Sequence, residues 1–306
     1  MVEDELTHLL QTRFGQTVRL EKIGGTIDRT AVYRVKGNES VAKLFFHAAQ
    51  IKHRREVTAY EFLRSSRVAI PRLVDSGMLP SGVPWILISQ LSGAPISELR
   101  TRFPDVARQM TGAMAGTLAQ LHRLPADRSP LFVGERDLAE LLAERLTKYA
   151  GFAATAAALD LPEKALLRTA RDAMLRLRLD ERGNWARKGV FVHGDFSMRN
   201  LLADMKRDGT TMTGLIDFER ARLGDPAEDL CAAFLGEFYQ DAHGWTHFLD
   251  VYRRQSHADD GLHIRFLYFF IGHVAEIATW APGKDDAYYQ NGLRALESLM
   301  SAAKLC

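Results

Sequence analysis

Cysteine is almost absent: Cys231 and Cys306 are the two in 306 residues. Two thiols, one of them the last residue, make no disulfide framework. A chain of this length buries roughly three-quarters of its unfolded surface and needs no such staple. Long hydrophobic runs are also missing, none approaching the ~18–20 residues of a membrane span. The opening residues, Met1-Val2-Glu3-Asp4-Glu5, are acidic where a secretory leader would be basic. Nor is there an excess of one charge: 40 Lys and Arg face 38 Asp and Glu, a net +2, which leaves no electrostatic footprint for nucleic acid. These absences argue against secreted, membrane-spanning, collagenous and disordered classes. What is present, 46% hydrophobic and 25% charged residues, is ordinary for a globular protein, and the length suits two domains or one bilobal unit. The expectation is a cytoplasmic monomer with neither a nucleic-acid nor a membrane partner.

The charge is unevenly distributed. From Asp217 onward 14 acidic residues outnumber 8 basic ones, a net −6, so the first 216 residues carry +8. A solvated surface accounts for such an imbalance as readily as a basic half for phosphates and an acidic half for a cation.

Along the chain, residues 3–14 space Leu6, Leu9, Leu10 and Phe14 as a helix does. Short β-like pieces follow at 18–23, 31–37 and 40–46, separated by the turn signals Gly24-Gly25 and Gly37-Asn38. A helix is predicted over 50–65, then strands in Arg72–Gly77 and Val83–Gln90, the latter almost wholly apolar. After Gly93 the character changes to helices at 104–123, 135–149, 162–179, 227–240, 244–255, 262–281 and near the end. One β patch interrupts them, at 189–195, 200–204 and 212–219. The pattern predicts an α+β chain: a β-rich N-lobe with one inserted helix over 1–91, joined to a mainly helical C-lobe over 92–306.

The chemistry-bearing stretch is Val192-His193-Gly194-Asp195-Phe196-Ser197-Met198-Arg199-Asn200-Leu201-Leu202, followed by Leu215-Ile216-Asp217-Phe218. An Asp, an Asn five residues on, and a later Asp at a strand end is the spacing of kinase-type phosphoryl transfer. There one carboxylate takes the hydroxyl proton, and the Asn and second Asp offer hard oxygens to magnesium. Magnesium keeps several waters and phosphate oxygens, so a short protein ligand list suffices. In the predicted N-lobe, Lys43 lies in an otherwise apolar strand, Ser40–Phe46, where a charge needs a partner. Glu56 and Glu61 on the following helix both compete for it.

With Gly224-Asp225-Pro226 and Asp229-Leu230 further on, these residues resemble the aminoglycoside phosphotransferase and choline-kinase-like branch of the protein-kinase fold, over most of the chain. The resemblance implies a bilobal protein-kinase-like architecture and Mg2+-dependent transfer of the γ-phosphate of ATP or GTP to an alcohol. It makes Asp195 the base and Asn200 and Asp217 the magnesium ligands. It also favours Glu56 as the partner of Lys43, since Arg55-Glu56 matches the family's start to this helix. Gly24, Gly25 and Thr26 match its short nucleotide loop, without the fuller Gly-x-Gly-x-x-Gly. Trp85 to Pro95 resembles the interlobe linker, which implies that the Ser89 carbonyl and Leu91 amide meet the adenine edge. Phe218-Glu219 stands where protein kinases have Phe-Gly, and no Ala-Pro-Glu segment follows, so a protein substrate is not expected. Asp225 and Asp229 are expected to brace the loop and cap the helix at Pro226.

The acceptor is expected to be a small molecule, cationic in view of the acidic segment, and an aminoglycoside-type or other amino-sugar antibiotic fits best. The segment Lys43–Ala49 resembles that of hygromycin-type members. A metabolite kinase acting on an amino alcohol, homoserine or a sugar is the alternative, and a pseudokinase binding module the third. Candidate acceptor residues are Glu276, which interrupts an apolar helix expected to pack inward, Trp280 one turn on, Glu237, and Arg199, four residues after Asp195.

Overall fold

The computed structural model describes residues 2–25, 29–46, 50–124, 138–177, 189–207 and 209–303. The chain groups into two compact units, Met1–Met110 with Arg199–Ala221, and Thr111–Met198 with Arg222–Cys306.

The first unit opens with α1 (Val2–Phe14), whose Leu6 and Leu10 are fully buried. Five strands follow: β1 (Arg19–Gly24), β2 (Thr30–Lys36), β3 (Ser40–Phe45), β4 (Leu73–Met78) and β5 (Pro84–Ser89). They form an antiparallel sheet in the order β1-β2-β3-β5-β4, with helix α2 (Gln50–Leu63) inserted between β3 and β4. Alternation decides what each face carries. Tyr33, Val35, Ala42, Leu44, Trp85 and Leu87 cluster with Leu6 and Leu10, so Lys43, between Ala42 and Leu44, is turned to the opposite face. β5 is buried along its first five residues, as its continuous apolar run predicts.

A second, three-stranded sheet in this unit has the order β6-β8-β9, from β6 (Ala94–Pro95), β8 (Leu201–Lys206) and β9 (Gly209–Leu215). Gly93 precedes β6 with φ +88°, and a Cβ there would fall 2.2 Å from the Ala203 carbonyl oxygen. Only glycine permits both the backbone angle and the approach. The short helix α3 (Ile96–Arg102) follows, and α4 (Asp105–His122) runs from the first unit into the second.

The second unit is helical: α5 (Leu138–Ala158), α6 (Lys164–Arg176), α7 (Pro226–Ala233), α8 (Ala242–Gln255), α9 (Leu262–Trp280) and α10 (Asp286–Ala302). One two-stranded sheet joins β7 (Val190–Val192) to β10 (Arg222–Gly224). α9 is the central element, with Phe266, Phe269, Phe270, Ile271, Val274 and Ile277 all buried and Gly272 packed against Tyr149 of α5. Among the described residues no helix is long and apolar enough to cross a membrane.

Several boundaries differ from the sequence expectation. Helix α5 continues to Ala158 rather than ending at 149, because the Ala-rich stretch after Gly151 is made of the strongest helix former. The predicted strand 212–219 begins at Gly209 and stops at Leu215. The predicted helix 227–240 is α7 followed by a π-helical turn, Phe234–Phe238. Elements β6, α3 and β10, with two, seven and three residues, are too short to set up a readable period.

Candidate active site

In the first unit, strand alternation carries the Lys43 ammonium into a cluster of carboxylates. It donates to Glu56 Oε2 at 2.8 Å and to Asp217 Oδ1 at 2.7 Å, and Glu219 Oε2 stands 3.1 Å away. Glu56 is 1% exposed, whereas its sequence competitor Glu61 is exposed. Burial works to lower the Lys43 pKa, but the charges of Glu56, Asp217 and Glu219 outweigh it and hold the amine protonated. Burial pushes Glu56 up to about 7, against the pull of Lys43 and with a further push from Asp217. Oxygens of Glu56, Asp217 and Glu219 lie within 4.8 Å of one another, gathered around the Lys43 ammonium, and Asp217, 34% exposed, is the hard donor of the three most open to an ion such as magnesium.

The segment after β9 is built to present these groups. Its backbone is anchored by Ile216 N donating to the Asn200 carbonyl at 2.9 Å. Asp217 has φ +68°, and among the described residues it is the one non-glycine with a positive φ. Such strain persists only where surroundings impose it. Phe218 is fully buried, its ring 5.4 Å from that of Tyr60 on α2 in an edge-to-face contact. Asp217 and Glu219, on either side of the buried Phe218, both reach Lys43. Asn200 is buried, and Asp217 is half-buried.

Gly25 follows β1 with φ +117°, and a Cβ on it would meet the Thr30 carbonyl oxygen at 2.3 Å. Position 25 is closed to a side chain, and Gly24 lies at the irregular pairing of β1 with β2. Thr26 lies outside the described residues. Ser89 is tied to Arg72, its Oγ accepting from the Arg72 amide at 2.8 Å and its own amide donating to the Arg72 carbonyl at 2.9 Å. Leu91 is half-buried over Gly214. It also lines an open groove of about 580 Å³ between the β2–β3 turn and residues 90–92, with Arg34 and Lys36 on its wall.

In the second unit, the loop after β7 carries Asp195. Asp229, fully buried, accepts from the His193 amide through Oδ2 and from the Gly194 amide through Oδ1, both at 2.7 Å. His122 Nε2 lies 3.1 Å from the same carboxylate and His122 Nδ1 lies 2.7 Å from the Tyr252 hydroxyl. Burial would raise the Asp229 pKa, but the His122 bond, the neighbouring histidines and the Gly194 amide hold it below the ordinary value. His193 is itself buried, its Nδ1 accepting from the Asp195 amide at 3.2 Å. Asp225 caps α7, accepting from Ala227 N at 2.9 Å within a capping box completed by Glu228, and pairs with Arg265 Nε at 2.7 Å.

The acceptor candidates are scattered. Glu237 sits in the π-helical turn and accepts from the Met198 amide at 2.9 Å, so it is tied to the Asp195 loop. Such turns recur at functional sites. Glu276 is half-buried rather than enclosed among its apolar neighbours. It shares an edge of α9 with His273, 3.9 Å away, and its side chain is 35% exposed. Trp280 is exposed and tilted against Tyr288 at 6.1 Å. Arg199 is exposed. Of the other C-terminal acids, Glu228 is fully enclosed by Arg145 and Arg222, and Asp241 and Asp285 cap helices.

Sequence reasoning missed Lys52, which donates to Glu219 Oε1 at 2.6 Å. Its signal was available: Lys52 and Glu56 are one helical turn apart and face the same way. It also missed His122 and Tyr252, which look like ordinary helix residues until Asp229 is placed between them and the loop.

A five-stranded antiparallel sheet with an inserted helix, a lysine–glutamate pair across strand and helix, and a braced His-Gly-Asp loop define a protein-kinase-like phosphotransferase. Residues 19–267 match APH, the phosphotransferase enzyme family, and the chain belongs to that family, as an enzyme that transfers phosphate to hydroxyl groups. A search of curated proteins finds no significant match. Among solved structures, a GDP complex of an aminoglycoside 2'-phosphotransferase-IIIa variant is similar with a TM-score of 0.70 at 19% identity, over 98% of this chain and 97% of that one. A microcompartment-associated aminopropanol kinase gives 0.67 at 16%, over 97% and 98%. A thermostable variant of aminoglycoside phosphotransferase APH(4)-Ia with ADP and hygromycin B gives 0.62 at 18%, over 96% and 98%.

Proposed function

We propose that the protein is a Mg2+-dependent small-molecule kinase that moves the γ-phosphate of ATP or GTP to a hydroxyl of an amino-sugar, of the aminoglycoside type, in the manner of a resistance enzyme. The observation that carries the kinase reading is the Lys43 ammonium held between Glu56 at 2.8 Å and Asp217 at 2.7 Å. A lysine so placed has a permanent charge and a fixed position for phosphate oxygens. Residues 1–91 would take the nucleotide, with Gly24, Gly25 and Thr26 at its phosphates, and Ser89 and Leu91 at its base beside the groove that Leu91 lines. Residues 92–306 would take the acceptor.

In this reading Asp195 accepts the proton of the acceptor hydroxyl as that oxygen attacks the γ-phosphorus, the bond from γ-phosphorus to the β–γ bridging oxygen breaks to release ADP or GDP, and Lys43 offsets negative charge on the phosphates. The oxygen donors of Asn200 and Asp217 suit Mg2+, and Asp217, strained and half-exposed, is poised to offer its carboxylate. When bound, the ion would neutralise triphosphate charge. Glu237, Glu276, Trp280 and Arg199 are the groups proposed to meet the acceptor. What supports a cationic acceptor is the net −6 from Asp217 onward and the likeness of the fold to kinases that act on aminoglycosides. Similarity to the aminopropanol kinase supports a second reading, in which the acceptor is a small amino alcohol.

The test is an ADP- or GDP-release screen over aminoglycosides, other amino-sugars and small alcohols, with ATP and GTP in turn. Turnover falling with added salt for an amino-sugar supports the first reading. Efficient turnover confined to amino alcohols replaces it with the second, and nucleotide binding without any turnover leaves a binding module.

A further inference from the structure

Glu219 presents a difficulty for the phosphate site. Its Oε2 lies 3.1 Å from Lys43 Nζ, so it competes for the ammonium that the reading above assigns to the nucleotide. Lys43 already faces Glu56 and Asp217, which makes three carboxylates around one buried cation. The other oxygen of Glu219 accepts from Lys52 at 2.6 Å. That pair is only partly screened by water, with side-chain exposures of 31% for Lys52 and 14% for Glu219. Lys52 is four residues before Glu56, so α2 presents a cation and an anion on one face, each engaged with the same cluster. The Tyr60–Phe218 ring contact joins α2 to this segment again, through apolar surface.

We propose that Lys52 is a positioning residue of the phosphoryl-transfer site, holding Glu219 aside so that Lys43 and Asp217 are left to the nucleotide and its metal. This rests on the nucleotide reading above. With Lys52 in place, Glu219 keeps a cation of its own when phosphate oxygens draw Lys43 away. Without Lys52, Glu219 has Lys43 as its remaining cation, tightens on it, and adds an uncompensated negative charge beside the incoming triphosphate. Loss of a nearby compensating charge in a partly dry site weakens anion binding by about an order of magnitude.

Five proteins decide it: wild type, Lys52→Met, Glu219→Gln, the double variant and, as the charge-keeping control, Lys52→Arg. Binding of a fluorescent ATP or GTP analogue with Mg2+ is titrated for each, and amide exchange across α2 is followed without nucleotide. We expect Lys52→Met to raise the nucleotide Kd about tenfold and to speed exchange in α2, and Lys52→Arg to keep both near wild type. Glu219→Gln should bind at least as tightly as wild type. The double variant should recover to within about threefold of Glu219→Gln, although its ion pair is still missing. A purely architectural pair would instead leave the double variant as weak as Lys52→Met, and that result overturns the proposal. So does unchanged binding in Lys52→Met, or a loss of Mg2+-dependent binding in Glu219→Gln, which would make Glu219 a ligand rather than a competitor. If wild type binds neither nucleotide, the kinase reading fails and this inference falls with it, an outcome distinct from the others.

Discussion

Asp229 is the residue whose loss should be felt furthest from its own position. Its carboxylate collects the amides of His193 and Gly194 at 2.7 Å each and His122 Nε2 at 3.1 Å, with no exposure to water. Asp229→Asn keeps the volume but offers one acceptor oxygen where two are used, and turns an amide N–H2 toward a backbone donor. Losing the charge from the remaining bonds and stranding one buried amide should cost about 3–5 kcal/mol. Asp195 follows those two amides directly, so the same change should lower kcat more than it raises either KM. The assay is urea unfolding followed by tryptophan fluorescence, alongside hydrogen exchange at His193 and Gly194, which reports the loop without assuming a two-state transition. The pH dependence gives a further check. The folded Asp229 pKa lies below its ordinary value, so its contribution is complete above the unfolded pKa of about 4 and is lost as pH falls through the lower folded value. The gap between wild type and variant should therefore narrow in acid. A loss under about 1 kcal/mol, or unchanged protection at the two amides, would refute the reasoning.

Other expectations are as direct. Asp195→Asn should cut turnover by roughly 10²–10⁴ while the melting temperature and nucleotide affinity hold; near-normal turnover by the coupled assay removes it as the base. Glu276→Gln should raise the KM of a cationic acceptor several-fold and flatten its salt dependence, leaving the nucleotide KM alone; an unchanged acceptor KM excludes contact. Glu228, whose pKa is raised by burial but drawn lower on balance by Arg222 and then Arg145, contributes stability present above its unfolded value near 4.5 and lost in acid. Glu228→Gln should destabilise at pH 7 by about 3–5 kcal/mol and unfold with a shallower acid slope, which urea titrations at pH 3 to 7 would measure.

The larger elements were legible because their patterns are long. The sheet of the first unit follows from alternating apolar runs bounded by the turn signals Gly24-Gly25 and Gly37-Asn38, and α9 from nineteen residues of mostly apolar sequence. Lys43 was visible for a sharper reason: a charge in an apolar strand demands a partner, and Glu56 meets it at 2.8 Å. Alternation alone would have put Asp217 in a strand, yet the strand ends at Leu215 and Asp217 takes a left-handed backbone, which no residue type there announces. How deep Glu276 sits was not legible, because apolar neighbours in sequence are not neighbours on a helix face; it is half-buried on an edge shared with His273. The π-helical turn leaves no periodic trace either, since one extra residue shifts the phase of a single turn. Lys52 and Glu219 are far apart in sequence and unremarkable singly, and only the fold makes them a pair.

The first unit is made of two stretches of chain, 1–110 and 199–221, and this has a consequence during synthesis. β6 has its partner in β8, and the Ala69 carbonyl has its donor in Leu215. A nascent chain that has emerged as far as β5 already contains the five-stranded sheet, Lys43 and Glu56. It holds neither Asp217 nor Glu219 until the whole segment between 111 and 198 has left the ribosome. Through that interval the ammonium of Lys43 has Glu56 as its counter-charge in the cluster. Completion of the first unit must therefore wait on long-range closure, the slow kind of contact in folding.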